Sequence, residues 1–223
     1  LFPAFSPRSL VFAAALGLAA TTAACGSEPE AVVDDLTDVK NTAVKNQSIG
    51  NCWVYASMGW AESLHLTQTG EALNLSESWI SYWHWYEELA GPPKGLPSMA
   101  SLDKAGQLST GGWFGLAAEI MRRYGVITEG SFIPEEAEAA RSSRQSSALS
   151  AINSSLKSGV LSDPAKRKDR KLVRQELDKA WGLSAGVSAL ITDTFGADVS
   201  RSLADGSAKV PSTGGLMLPK SIA

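Results

Sequence analysis

The residues with the clearest chemical potential stand close together, between Gln47 and Trp53. Cys52 follows a glycine-containing turn and opens a segment with apolar residues at helical spacing. Unpaired N–H groups and the positive dipole end at a helix N-terminus favour a thiolate, which is a nucleophile near neutral pH. The same N–H groups, with a side-chain amide such as that of Gln47, can bind the oxyanion of an acyl-transfer reaction. A buried, inert cysteine is the alternative interpretation.

The elements that must position this segment are predicted to be mainly helices. Apolar residues at helical spacing begin after Asn51, which is placed to act as an N-cap, and end at Gly70. Together with the other caps and breaks, this pattern predicts helices over 51–69, from Ser76 to Gly91 and from Gly112 or Trp113 to Tyr124. Further helices are predicted over 134–156, from Asp163-Pro164 onward and over 184–203. Residues 91–111 are predicted to form a loop, and Val126-Ile127 an extended segment.

Eight of the 17 aromatic residues lie between Trp53 and Tyr86, on the first two predicted helices. We expect these large rings to form the core between the two helices, because buried aromatic side chains contribute much of the apolar surface of a small domain. Trp113, which lies beside two glycines, is instead expected to line a pocket.

The composition argues against several classes of protein. With 20 basic and 23 acidic residues, the 223-residue chain has a net charge of −3, whereas a nucleic-acid-binding surface needs a cationic excess. Two cysteines, Cys25 and Cys52, cannot build a disulfide scaffold, and two histidines argue against a multi-histidine metal site. We therefore expect no metal or other cofactor and no nucleic-acid partner.

The first 24 residues have the parts of a secretory signal peptide. Arg8 precedes an uncharged apolar stretch, and small residues lead to Cys25, as in the cleavage box of a bacterial lipoprotein. We therefore predict a signal peptide over 1–24, a lipid on Cys25 and a polar linker over 25–40. The protein would then be exported, as a periplasmic or cell-envelope lipoprotein that meets the membrane only through this anchor. An uncleaved membrane-spanning segment over 9–27 is the alternative.

Five short segments resemble, in the same order, the papain-like cysteine peptidases. They are Gln47 with Gly50, Cys52-Trp53, Leu75-Ser76-Glu77, Thr110-Gly111-Gly112-Trp113 and Arg123-Tyr124-Gly125. The resemblance implies that Cys52 is the catalytic nucleophile and that Gln47 helps to bind the oxyanion. It also implies that Gly111, Gly112 and Trp113 bind an extended peptide substrate, with the glycines lining its backbone.

The resemblance implies an α+β papain-like fold, of which these residues hold mainly the helical part. Residues 41–133 would form the helical, nucleophile-bearing domain, and residues 206–223 would begin a β-rich second domain that is largely missing. A helical insertion over 134–205 and the final residues after Leu218 resemble the bleomycin-hydrolase and aminopeptidase branch of the family.

Two features depart from the papain-like pattern. Gln47 lies five residues before Cys52, whereas the family usually has six. A peptidase of this type also needs a histidine as acid and base, oriented by an asparagine or a similar group. His65 would lie about 20 Å along the same helix as the cysteine, at 1.5 Å per residue. His84 shares a helix side with Glu88, which predicts a solvated or carboxylate-paired histidine.

The sequence therefore predicts the nucleophile-bearing half of an exported cysteine peptidase, which hydrolyses peptide bonds in a peptide or protein substrate. The catalytic histidine and asparagine are expected outside the 223 residues, and this chain by itself is expected to be inactive on peptides. A non-catalytic papain-like lipoprotein that binds a peptide or a partner protein is the first alternative. A transglutaminase-type acyl transferase, which also uses a cysteine, is the second.

Overall fold

The computed structural model describes residues 39–137 and 143–218, and this part of the chain is mainly α-helical. The described α-helices are α1 (Cys52–Thr69), α2 (Glu77–Ala90), α3 (Phe114–Tyr124), α4 (Glu129–Phe132), α5 (Ser143–Ser158), α6 (Arg170–Trp181) and α7 (Ala185–Phe195). Short 3-10 helices cover Pro134–Glu136, Val160–Ser162 and Lys166–Lys168, and two short strands are β1 (Val126–Ile127) and β2 (Leu216–Met217). The prediction that this part of the chain is mainly helical is therefore confirmed.

The central element of the fold is α2. Ser76 caps this helix, because its Oγ accepts a hydrogen bond from the Trp79 N–H at 3.1 Å. Every residue from Glu77 to Leu89 is buried, and α2 packs against α1, α3, α4 and α6. A helix that is covered on all sides needs apolar surface around its whole circumference, and large aromatic rings supply it here.

Most of the rings expected in the core are buried there. Trp83 of α2 stacks on Tyr124 of α3, with 4.0 Å between ring centroids and 2° between ring planes. Trp79 meets Trp83 edge to face at 5.4 Å, the other arrangement that aromatic pairs favour. Trp60 differs from the prediction, because 54% of its surface is exposed and its ring contacts Phe114 at the surface.

The strands β1 and β2 pair in an antiparallel two-stranded sheet. Val126 pairs with Met217, and Ile127 pairs with Leu216. The extended segment predicted at Val126-Ile127 is therefore confirmed. The pairing ties the last described residues to the end of α3, and Leu216 joins the same apolar core as the residues of α1 and α2.

Several helix boundaries differ from the prediction for local reasons. Pro134–Glu136 forms only a 3-10 turn, and α5 begins after it. The helix that carries the basic residues begins behind Asp169, because the Asp169 carboxylate caps it by accepting from the Leu172 N–H at 3.0 Å. Helix α7 ends at Phe195, before the predicted end, because Gly196 leaves the helical conformation with φ +90°.

The predicted signal peptide over 1–24, the lipid site Cys25 and most of the linker over 25–40 lie outside the described residues. Among the helices that the structure does describe, none is both long enough and apolar enough to cross a bilayer. The described part of 206–223 ends at Leu218 and contains β2.

Candidate functional site

Cys52 is the first residue of α1, and its free thiol belongs to an exposed residue. Asn51 occupies the N-cap position as predicted, but its side chain makes no capping hydrogen bond. The Asn51 Nδ2 instead donates inward, to Ser81 Oγ at 3.1 Å and to Gln145 Oε1 at 2.9 Å. The amide groups at the start of α1 are thus left without a side-chain cap next to the thiol, and such groups bind negatively charged atoms.

A turn over residues 47–50 leads into α1 and touches the loop that precedes α3. A Cβ on Gly50 would lie only 2.9 Å from Thr110 Oγ1, so a larger residue would push the two segments apart. The Asn51 N–H donates to Ile49 O at 2.8 Å and closes the turn. Gln47 lies at the beginning of this turn with an exposed side chain. Gln47 is therefore accessible from solvent.

The loop that contains the two glycines predicted to bind substrate lies against the first turn of α1. The Trp53 Nε1 donates to Thr110 O at 2.8 Å, and a Cβ on Gly112 would lie 2.5 Å from the Trp53 ring. Gly50 and Trp53, which stand on either side of the cysteine in the sequence, therefore both contact this loop. Gly111 and Gly112 are exposed, as the cysteine is. The structure thus places the loop of the predicted glycine strip, Gly111 and Gly112, against Trp53, the residue that follows the predicted nucleophile.

Trp113 follows the glycines at the N-cap position of α3, in an extended conformation. About half of its surface is exposed. The nearby groove, of about 490 Å³, is lined by the next residue in the chain, Phe114, together with Trp53, Ala56, Ser57 and Trp60. The wall of this groove is therefore formed by Phe114, and Trp113 offers an exposed ring beside the glycine strip.

His84 is buried in the interior, beside Trp53. The two rings meet edge to face, with 5.1 Å between their centroids. The His84 Nε2 lies 3.4 Å from Glu88 Oε1, and Glu88 Oε2 accepts a hydrogen bond from the Ser109 N–H at 3.0 Å. Of the two environments predicted for His84, the one beside an acidic side chain is found, and the solvated one is wrong.

Burial keeps the His84–Glu88 pair uncharged near neutral pH. Because the imidazolium form would lose its hydration, burial lowers the pKa of His84 to about 4. Burial likewise raises the pKa of Glu88 to about 9, although the hydrogen bond from Ser109 favours the carboxylate. Glu88 therefore binds the backbone of Ser109, just before the glycines, as a neutral acid next to a neutral imidazole.

Neither histidine is placed to serve Cys52 as an acid or base. His84 is buried against Trp53 and Glu88. His65 lies on α1 itself, 13 residues after the cysteine, which corresponds to about 20 Å. The sequence has only these two histidines, so neither of its imidazoles is placed to act on the Cys52 thiol.

A buried charge cluster around Lys45 holds the segment that leads to the turn. The Lys45 Nζ lies 3.0 Å from Glu62 Oε1, 2.9 Å from Glu77 Oε1 and 3.6 Å from Glu129 Oε1. Burial opposes the charge of Lys45, but the surrounding carboxylates outweigh it and raise the pKa of the ammonium group. Burial raises the pKa of Glu77 to about 8, against the attraction of Lys45. In the described residues no group of His, Cys, Asp and Glu side chains is arranged to hold a metal ion.

Gln145 of α5 is a contributor that sequence reasoning missed. Its Oε1 accepts from Asn51 Nδ2 at 2.9 Å, and its Nε2 donates to Ser78 Oγ at 3.1 Å and to Tyr55 OH at 3.2 Å. Gln145 thus joins α5 to α1 and α2 and holds Asn51, the residue that precedes the predicted nucleophile. It lies 94 residues from Asn51 and belongs to no motif, so no signal in the sequence could have identified it.

Comparison of the chain with family models, with curated proteins and with solved structures gives no match in any of the three. What the chain can do therefore has to follow from its own geometry around Cys52. In that geometry Cys52 is exposed at a helix start that has no side-chain cap. The next residue, Trp53, contacts both the loop before α3 and the buried, neutral pair of His84 and Glu88.

The neutral state of Glu88 has a measurable consequence for stability. Its pKa is about 9 in the folded chain and about 4.3 in an unfolded chain, so between these values the folded state binds one more proton. The free energy of unfolding must then fall as pH rises. We expect Glu88→Gln, which keeps an oxygen for the Ser109 N–H, to flatten this decline by up to about 1.4 kcal/mol per pH unit. Chemical denaturation at several pH values from 7 to 8.5 measures the slope.

The matched control is Glu119→Gln. The hydrogen bond from Arg122 lowers the pKa of Glu119, so this group is ionised in both states throughout the same pH range. Its replacement is expected to leave the slope unchanged. Equal slopes for the Glu88→Gln variant and the wild-type chain would show that Glu88 is not held neutral.

Proposed function

We propose that this chain is the nucleophile-bearing, helical part of a papain-like cysteine peptidase. The observation that carries the proposal is the contact between the first turn of α1 and the glycine loop. Gly50 and Trp53 both touch the loop at Thr110 and Gly112, and they bracket Cys52. A nucleophile beside exposed peptide backbone is the arrangement needed to attack an extended peptide.

In the proposed reaction the Cys52 sulfur bonds to the carbonyl carbon of the substrate. The oxyanion that forms is bound by the N–H of Cys52, at the uncapped start of α1, and by the exposed amide of Gln47. The C–N bond then breaks, and the leaving amine takes up a proton. Water hydrolyses the thioester, which releases the acid and restores the thiol.

Substrate binding is assigned to the loop that contains Gly111 and Gly112, with Trp113 beside it. The Gly111 N–H already donates to Ser109 Oγ at 3.2 Å. A bound peptide would therefore pair with the carbonyl oxygen of Gly111 and with the backbone of Gly112, both at an exposed surface. The Ser109 N–H, held by Glu88, fixes the start of this loop.

The proton that the leaving amine needs must come from a group outside these 223 residues, because His65 and His84 are both misplaced for it. The proposal therefore assigns the acid and base to a second domain, which residues 206–223 would begin. It also includes export and a lipid on Cys25, which would place the enzyme in the periplasm or cell envelope. The misplaced histidines equally favour the second candidate, a non-catalytic lipoprotein that binds peptides in the same cleft.

The reactivity of Cys52 tests the proposal without a complete catalytic machinery. In a Cys25→Ser background, iodoacetamide can alkylate only Cys52, with an S–C bond formed and iodide released. We expect a rate at pH 7 about tenfold above that of free cysteine, since a helix N-terminus favours the thiolate. The rate is measured by mass spectrometry of the peptide that contains Cys52.

Free cysteine and the thiol of the urea-unfolded chain are the controls, because both lack the helix N-terminus. If folded and unfolded chains react at the same rate, Cys52 is not an activated nucleophile. The second candidate would then remain, and it predicts peptide binding that changes the fluorescence of the exposed Trp113.

A further inference from the structure

Positive charge is concentrated in the segment that joins α5 to α6. Residues 157–171, the basic segment, hold six basic and two acidic residues, whereas the rest of the chain holds 14 basic and 21 acidic ones. Helices α5 and α6 pack against each other, and the segment contains the end of α5, two 3-10 turns and the start of α6. The positive charge is therefore gathered where two packed helices are connected.

The two arginines of the basic segment are engaged inside the protein. Arg167 Nη1 donates to Leu161 O at 2.7 Å and ties the two 3-10 turns together. Arg170 Nη1 donates to Ala90 O at 2.8 Å, and its Nη2 donates to Val199 O at 3.1 Å. These contacts give the segment a fixed fold, and the charges that face solvent are left to its lysines.

The lysines of the basic segment have no carboxylate partner. All of them are exposed, and none forms an ion pair with another residue that the structure describes: Lys157, Lys166, Lys168 and Lys171. The acidic residues of the segment turn to the backbone instead. Asp163 Oδ1 accepts from the Ala165 N–H at 2.8 Å, and Asp169 caps α6. The ammonium groups are therefore free to meet a negatively charged partner.

This arrangement of charge does not serve the stability of α6. Behind the cap Asp169, the helix begins with Arg170 and Lys171, and its first turn has no acidic residue. The positive end of the helix dipole disfavours cations at this position, and like charges a few residues apart repel one another. Local arrangements that oppose folding are typical of functional surfaces, and this one favours a negatively charged partner.

Val160 distinguishes between the negatively charged partners. It lies between Lys157 and Lys166 in the sequence, and 37% of its surface is exposed. The segment has no aromatic ring that could stack on a base, and its arginines are engaged elsewhere, so a nucleic acid is not favoured. An exposed apolar residue among lysines suits the interface of an anionic membrane, where apolar area and charge attraction act together.

We propose that the basic segment docks on a bilayer that contains anionic phospholipids. The lysine ammonium groups contact the headgroup phosphates, while Val160 enters the boundary between headgroups and acyl chains. The inference goes beyond the proposed function, because it involves neither Cys52 nor the glycine loop. In a chain anchored at Cys25, this contact would hold the helical domain against the membrane surface.

Sedimentation with sucrose-loaded vesicles tests this docking surface. The full chain carries Cys25→Ser, which removes the lipid site, and vesicles of phosphatidylcholine alone are compared with vesicles that also contain phosphatidylglycerol. At about 0.15 M ionic strength we expect a partition coefficient about tenfold higher for the anionic vesicles, and at about 1 M we expect this difference to vanish. Equal binding to both kinds of vesicle would overturn the proposal, because the contact would then belong to an apolar segment such as 9–27.

Substitutions connect the binding to the lysines of the segment. Lys166→Gln combined with Lys168→Gln should lower the partition coefficient for anionic vesicles about tenfold or more, because each lysine near such a surface contributes about fivefold. The matched control, Lys104→Gln combined with Lys209→Gln, removes the same charge at exposed positions outside the segment and should lower it less than about twofold. Val160→Asn should lower it about threefold without changing its salt dependence. Equal losses in the two double variants would overturn the proposal, because net charge alone would then govern binding.

A fluorescently labelled single-stranded oligonucleotide tests the other kind of partner. If the chain binds it more tightly than anionic vesicles, and the two substitutions at Lys166 and Lys168 remove that binding, the partner is a nucleic acid and the proposal is overturned. Thermal unfolding of the same variants serves as the folding control. Its midpoint should not fall, because the substituted charges lie before the positive end of α6 and oppose its dipole. Loss of vesicle binding with an unchanged midpoint supports the docking surface.

Discussion

Replacement of Arg123 by methionine is expected to lower the free energy of unfolding by about 3–5 kcal/mol. The side chain of Arg123 is fully buried, and its Nη1 lies 2.6 Å from Glu87 Oε2 in the middle of the fold. Its Nη2 donates to Pro97 O at 2.8 Å and anchors the long loop that ends in the glycine strip. Without the guanidinium, Glu87 keeps only the hydrogen bond from Tyr124 OH in an apolar environment.

Thermal and chemical denaturation measure this effect, with Arg122→Ala as the matched control. Arg122 is the next residue on α3 and pairs with Glu119 at the surface, at 2.8 Å. An exposed pair of this kind contributes less than about 1 kcal/mol. The double variant Arg123→Met with Glu87→Gln should recover part of the loss, because it leaves no unpaired charge in the core. If Arg123→Met and Arg122→Ala lower the free energy of unfolding equally, the buried pair of Arg123 and Glu87 is no more important for stability than the exposed pair.

The second large effect is expected for Gly112→Ala, which should lower the free energy of unfolding by about 2–3 kcal/mol. The added Cβ would meet three atoms of the Trp53 ring at 2.5–2.7 Å. The ring cannot yield easily, since its Nε1 donates to Thr110 O and its other contacts include the His84 ring. The substitution therefore has to displace either Trp53 or the whole glycine loop.

Gly111→Ala is the control for this prediction. Gly111 lies next to Gly112 in the same exposed loop, and a Cβ there would meet only Ser109 Oγ, at 3.6 Å. Neither glycine has a positive φ, so the two substitutions differ in the contact and not in backbone strain. Denaturation combined with tryptophan fluorescence should show a loss for Gly112→Ala and almost none for Gly111→Ala. A loss of the same size in both variants would mean that the loop itself, and not the ring contact, is sensitive.

The parts of the site that could be predicted from the sequence are those fixed by local signals. Helix α1 ends at Gly70 as expected, because a glycine in the left-handed conformation closes it. The position of Cys52 at the helix start could also be predicted, because the turn before it and the apolar spacing after it are both visible within a few residues. The contact of the next residue, Trp53, with Gly112 could be expected only through the resemblance to a family, since the two lie 59 positions apart in the sequence.

What could not be predicted depends on contacts between distant parts of the chain. Asn51 has the right residue type and position to cap α1, yet its side chain turns inward, because Gln145 and Ser81 offer it buried partners. Trp60 is predicted to lie in the core, yet it is exposed. Composition alone cannot tell which side of a helix its neighbours leave uncovered. The neutral state of His84 also depends on its surroundings, in this case burial beside Glu88.

The inward hydrogen bond of Gln145 limits how this protein can be divided. Because α5 holds Asn51, the residue that precedes Cys52, the region after Ile133 is not an addition that can be removed from the helices before it. A shortened version that lacks α5 would leave Asn51, Ser78 and Tyr55 without a shared partner at the start of α1. In evolution and in engineering, the start of α1 and this distant helix therefore have to change together.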